Sequence, residues 1–374
     1  MEIQAIEETR LENDERLADA LDDIAAAKDI DSLAQFAKAY LGLYLNIESS
    51  VPPDGRVRML ASQPLADAVF SGFQASLLLE NQPQPSNIGE SVVADRPINL
   101  GYVLLAGLDR LADASMQDLL GLPQATLKSG LCFHFASLAS HQHEWARVLI
   151  HTRPEIASTA LSDFWQGMVG SGTDYLPGLN QIFGNQKIEP LIAEIVLPLI
   201  RSWNQCKDQV LRDLLYSALR SADLQQLLQI AEEKLIASPM VGGVRRVYWL
   251  ATASMIAPKN YIDALVHYID RSREKALRLL DFLSHALSIL AERDIRVQPE
   301  ILGKFLLVIA SKFPPQGDLT GPLDDTSQKV LALFQYLGRD SSQEARQALE
   351  DLRAVRVMRV CDDVIDYTEK LQRQ

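Results

Sequence analysis

The run LRDLLYSALRSADLQQLLQIAEEKL, residues 211–235, decides the fold. Leu211, Leu214, Leu215, Ala218 and Leu219 recur at the spacing of one face of an α-helix. After only Ser221-Ala222-Asp223 the pattern resumes with Leu224, Leu227, Leu228, Ala231 and Leu235. Both read as amphipathic helices, the second following the first almost at once.

The same period spreads outward. Leu279, Phe282, Leu283, Ala286 and Leu290 mark another helix, and Leu33, Phe36, Ala37, Tyr40, Leu41 and Tyr44 mark one entered after the cap-like Asp31-Ser32. Leu17, Leu21, Ile24 and Ala25 mark a first. Pro154 and Pro258 sit where proline suits a first helical turn. Ser341 with Glu344 is spaced as a capping box, and Asp325 with Gln328 is a weaker one. Leu and Ala dominate the apolar residues, sustained alternation is missing, and neither Asn-Gly nor Asp-Gly joins two alternating runs, so strands are not expected.

Helix pairs are predicted near 123–140 and 143–152, 154–170 and 176–184, 187–203 and 207–220, 223–237 and 241–256, 258–267 and 271–290, and 298–313 and 323–337. Their starts recur roughly every 30–40 residues, as in two-helix repeats. Pro190 and Pro198 fall inside one stretch and predict a kinked or broken helix. The expected fold is all-α, with antiparallel pairs stacked as a HEAT-like α-solenoid over 121–374. Residues 1–120 form a less regular acidic helical region, with a Pro-, Ser- and Asn-rich exposed loop at 81–96.

Composition narrows the function. The net charge is −13, and residues 1–31 carry eleven acids against Arg10, Arg16 and Lys28. An acidic chain does not attract a phosphate backbone at long range, so nucleic acid is disfavoured as a partner. Three distant cysteines (Cys132, Cys206 and Cys361) point to reduced thiols, and an acidic N-terminus without a long apolar run points to a cytoplasmic protein with no membrane span.

No phosphate loop, G-x-S-x-G, H-E-x-x-H or C-x-x-C motif is present. Gly167, Gly170 and Gly172 reverse the dinucleotide fingerprint and follow a helix, so they read as a helix C-terminus. Cys132, His134, His141 and His143 are four potential metal ligands within twelve residues. Cys132 and His134, two apart on a helix, point to different faces, and His141-Gln142-His143 reads as a turn between helices. Asp362-Asp363-Val364-Ile365-Asp366 could hold magnesium against a diphosphate, as in all-α isoprenoid synthases, but such enzymes need a second acidic motif, and Asp324-Asp325 is a poor one. A solvated acidic face is the expected role. Arg245, Arg246, Arg271, Arg273, Lys275, Arg278, Arg346, Arg353, Arg356 and Arg359 read as exposed positions balanced by acids, with a phosphate-binding stripe as the alternative. Trp145, Trp165, Trp203 and Trp249 read as core.

The runs PLADAVFSGFQASLL (64–78), ASTALSDFWQGMV (157–169), RRVYWLATASMIAPKNYIDAL (245–265) and SSQEARQALEDLRAVRVMRVCDDV (341–364) resemble the C-terminal helical region of large bacterial NACHT-type NTPases of the STAND class. In those proteins an ATPase core precedes a HEAT-like array that senses a trigger or holds the core inactive. The resemblance implies a sensor or autoinhibitory array. No Walker motif accompanies it, so ATP binding is carried over to no residue.

The expected function is therefore a non-catalytic, regulatory module that binds another protein or other domains of a larger chain. No catalytic residue, cofactor or metal is assigned. The alternatives are a nucleic-acid-binding solenoid and a magnesium-dependent enzyme using Asp362 and Asp366.

Overall fold

A computed structural model describes residues 2–44, 47–48, 50–137, 143–179, 189–202, 207–237, 245–270, 272–292, 297–313 and 324–354. Among these the regular structure is entirely helical, as the periodicity predicts. The chain divides into two compact units, Met1–Ile195 with Asn204–Lys207 and Val196–Trp203 with Asp208–Gln374. The residues on both sides of position 120 thus lie in one unit.

The first unit contains α1 (Glu2–Leu17), a 3-10 turn (Ala18–Ala20), α2 (Leu21–Ala25), α3 (Ile30–Tyr40), α4 (Pro53–Leu60) and α5 (Gln63–Ser76). It continues through α6 (Pro85–Val93), α7 (Asn99–Ala114), α8 (Met116–Leu120), α9 (Gln124–Ala136), α10 (Glu144–Thr152) and α11 (Pro154–Gly170). The apolar period through Leu17, Leu21 and Ile24 is interrupted by the 3-10 turn, so the expected first helix is two. Asp29, not Asp31, caps α3, its Oδ1 accepting from the Ser32 N–H at 3.0 Å. Arg56 is buried and donates to the carbonyls of Val51 and Tyr40, tying α4 to the C-terminal end of α3.

The loop expected at 81–96 is corrected. Pro85 opens α6 in the position where a missing N–H costs nothing, and Ile88 and Gly89 are fully covered. Gln82 is buried and bonds the Ser76 carbonyl, while Ser129 bonds that of Pro83. Proline, serine and asparagine here start a helix; they do not mark a solvated loop. α6 lies so close to α11 that a methyl on Gly167 would overlap the Ser86 carbonyl oxygen, and one on Gly89 the Phe164 oxygen. Gly167 therefore serves helix packing, and Gly172, at φ +83°, takes the left-handed turn after α11.

α12 (Glu189–Ser202) spans the division between units. Pro190 falls in its first turn and only Pro198 lies inside it. The second unit continues with α13 (Asp208–Ser221), α14 (Leu224–Ala237), α15 (Arg245–Ile256), α16 (Pro258–Asp270), α17 (Arg273–Glu292), α18 (Pro299–Lys312), α19 (Asp325–Gly338) and α20 (Gln343–Ala354). From α15 to α20 each helix packs on the next and on the next but one, the connectivity of a helical-repeat array. α15 has no wet face in its middle, because Val247 to Met255 are all buried. The caps here sit one residue from expectation. Asp324 caps α19 through the Ser327 N–H, and Ser342 accepts from the Ala345 N–H at the start of α20. No described helix is long and apolar enough to cross a membrane.

Gly167→Ala should cost about 2 kcal/mol through overpacking against α6. Gly170→Ala, with nothing within 4 Å of the added methyl, should be neutral or up to about 1 kcal/mol stabilising. Thermal unfolding of the two variants measures the contrast, and equal midpoints would contradict the close α6–α11 approach.

Candidate functional site

A group of polar residues converges where α7, α9 and the start of α10 meet. α7 presents a carboxylate, Asp109, beyond the wholly buried run Val103 to Leu108. Its Oδ1 lies 2.6 Å from His143 Nδ1 and accepts from Trp145 Nε1 at 2.8 Å. His143 is the N-cap residue of α10, with its side chain 4 % exposed. His134, on α9, brings its ring centre within 5.2 Å of that of His143, at a steep interplanar angle of 69°. Trp145 packs on both histidines.

Burial sets the chemistry here. His134 is held neutral well into the acid range, pushed down to about 4, first by loss of solvent and then by the neighbouring His143. The Tyr40 hydroxyl is raised above the ordinary tyrosine value by burial and by the carboxylates of Asp109, Asp113 and Asp54. Cys132 is also raised by burial, and its thiol turns to the Ala160 carbonyl at 3.6 Å. A protonated, enclosed thiol is a poor nucleophile.

Of the four residues singled out as potential ligands, the structure thus joins His134 to His143 and turns Cys132 away, while His141 lies outside the described residues. Among the described residues no three His, Cys, Asp or Glu side chains converge as a metal would need. Asp109 was missed in the sequence. The available signal was an acid directly after the apolar run GYVLLAGL (101–108) of α7.

The other groups are placed as follows. Asp362, Asp363 and Asp366 lie outside the described residues. Asp324 and Asp325 serve the start of α19, the first as its cap and the second paired with Lys329, which also reaches Asp281 at 2.9 Å. Arg245 pairs with Asp208, Arg246 donates to the Leu235 carbonyl, Lys275 lies over the Tyr268 ring and Arg273 over Phe313. Arg271, Arg356 and Arg359 lie outside the described residues. Trp145, Trp165 and Trp249 are core residues, and Trp203 lies outside.

The depressed His134 value gives a sign. Unfolded, this histidine accepts a proton near pH 6.5, whereas the folded chain resists it until about pH 4. Its stabilising contribution is complete above the first value and is lost as pH falls towards the second. His134→Gln should flatten the stability–pH curve across that window by up to about 3 kcal/mol. Urea unfolding with EDTA present measures it, and an unchanged slope would contradict the enclosed, neutral histidine.

No protein-family model, no curated protein and no solved structure matches the chain.

Proposed function

We propose that the chain is a non-catalytic helical-repeat module that binds another protein, or another domain of a larger chain. The observation that carries this reading is the groove between α18 and α20 in the second unit. It encloses about 690 Å³. Leu307 and Leu352 line it, with Glu300, Glu344 and Asp351 above them and Lys304 as the counter-charge. Lys304 stands 3.6 Å from Glu300 and 3.7 Å from Asp263, so it is shared between two acids.

An apolar lining under a predominantly acidic rim suits an amphipathic segment with basic flanks. Helical-repeat arrays present such surfaces because each helix spends one face on its neighbours and leaves the other free. Of the basic side chains that would make a phosphate stripe, Arg245, Arg246, Arg273 and Lys275 are engaged instead with an acid, a carbonyl and aromatic rings of their own unit. The resemblance of residues 64–78, 157–169, 245–265 and 341–364 to the helical region of NACHT-type NTPases extends the reading. On that extension the module is a sensor or autoinhibitory array, and its partner is an ATPase core.

A photo-crosslinking side chain at Gln347, in the groove, should form a discrete protein adduct in cells carrying the chain. The same probe at Lys259, on α16, should not. Once that partner is purified, Leu307→Glu should weaken binding at least tenfold while Lys259→Glu leaves it unchanged. Turnover of a nucleotide or diphosphate abolished by Asp362→Asn would overturn the proposal, as would nucleic-acid binding that falls steeply with salt.

A further inference from the structure

The imidazole of His134 is walled in by rings. Phe135 meets it at 4.9 Å between centres, His143 at 5.2 Å and Trp145 at 5.9 Å, all at steep angles. Its Nδ1 is buried without a hydrogen-bond partner. A neutral ring tolerates such a place, but an imidazolium would carry a charged N–H there with nothing to receive it.

Charged groups on the surrounding described residues offer that proton no relief. On α7, Asp109 is turned to His143 and Trp145, Arg110 pairs with Asp54, and Asp113 is exposed. On α10, Glu144 and Arg147 pair at the surface, and His151 Nδ1 lies 2.6 Å from the Arg147 carbonyl. Asp163 of α11 and Lys128 of α9 bear on Cys132, while Glu155 of α11 and Glu90 of α6 are exposed. The charge that bears on His134 is that of His143, and it opposes protonation.

The cover over His134 is uneven. α9 packs on α6, α7 and α11 and buries Leu127, Leu131, Cys132 and Phe133. α10 has nine residues and buries Trp145, Ala146, Leu149 and Ile150. Two of the three rings belong to its cap and first turn, so lifting α10 uncovers His134 at less loss of packing than moving α9. Released from its neighbours, a helix of this length does not persist.

We propose that α10 is an acid-released latch: protonation of His134 opens this corner of the first unit while α7 and α9 stay folded, exposing the Trp145 indole. Closed, the histidine resists a proton until about pH 4; open, it takes one near pH 6.5. Protons therefore favour the open form, and opening becomes easier as pH falls from the second value towards the first. Overall unfolding carries the same linkage; the latch adds that α10 gives way before the rest. The inference is independent of the protein-binding reading.

Native-state hydrogen exchange of the full chain in low urea, corrected for the intrinsic effect of pH on amide exchange, tests it. The α10 amides from Val148 to Thr152 should exchange through an opening insensitive to urea, whereas the α7 amides from Val103 to Leu108 should follow urea. Between pH 7 and pH 5 the opening constant of the α10 amides should rise about 20-fold. His134→Gln should remove most of that rise, and His151→Gln, on α10 itself, should keep it. Equal urea dependence of α10 and α7 would overturn the proposal, as would an acid rise that survives in His134→Gln. Should that variant not fold, the wild type still decides: a rise that is absent, or that appears only in urea-sensitive exchange, overturns the latch.

Discussion

An amphipathic helix leaves an apolar stripe that one neighbour seldom covers, and in this chain the covering is done by other helices. From α15 to α20 the second unit meets that requirement by pairing each helix with the next and the next but one. In the first unit the demand is met at shorter range. α6 and α11 approach until glycine is the residue that fits at Gly89 and Gly167, and α2 meets α5 in the same way at Gly72. Close approach of this kind gains dispersion contacts and burial together. Side chains that face away from these contacts are released from packing.

Against this apolar background the Asp109–His143–Trp145–His134 group is costly. A carboxylate and two imidazoles have been drawn out of solvent, and only part of their bonding capacity is met from within. A well-packed apolar substitute would hold three helices together without that cost.

Much of the architecture was legible in the sequence, because helical periodicity is a property of side-chain order alone. The helices Asp208–Ser221 and Leu224–Ala237 were read to within a residue at each end. Caps were harder. Asp29-Ile30-Asp31, Asp324-Asp325 and Ser341-Ser342 each offer two chemically suitable residues, and only the backbone decides which oxygen reaches the free N–H. α6 was hidden because its opening Pro85-Ser86-Asn87 is equally good turn chemistry, and the covering that decides the matter comes from α11, some 70 residues along the chain. The candidate site was half legible for a related reason. His134 and His143 are close in sequence, but Asp109 reaches them only through the α7–α9 contact, a tertiary fact that no local spacing encodes.

The enclosed middle of α15 also bears on the order in which the chain can fold. A helix with no face for water cannot persist ahead of the elements that surround it. During synthesis α13 and α14 emerge before it, whereas α16 and α17 follow, so the Tyr248 ring lacks its Phe282 neighbour until α17 arrives. The second unit therefore does not grow by stable increments, one helix pair at a time. A break in the chain between α16 and α17 would leave not a shorter array but an adhesive fragment, with its most apolar helix turned outward.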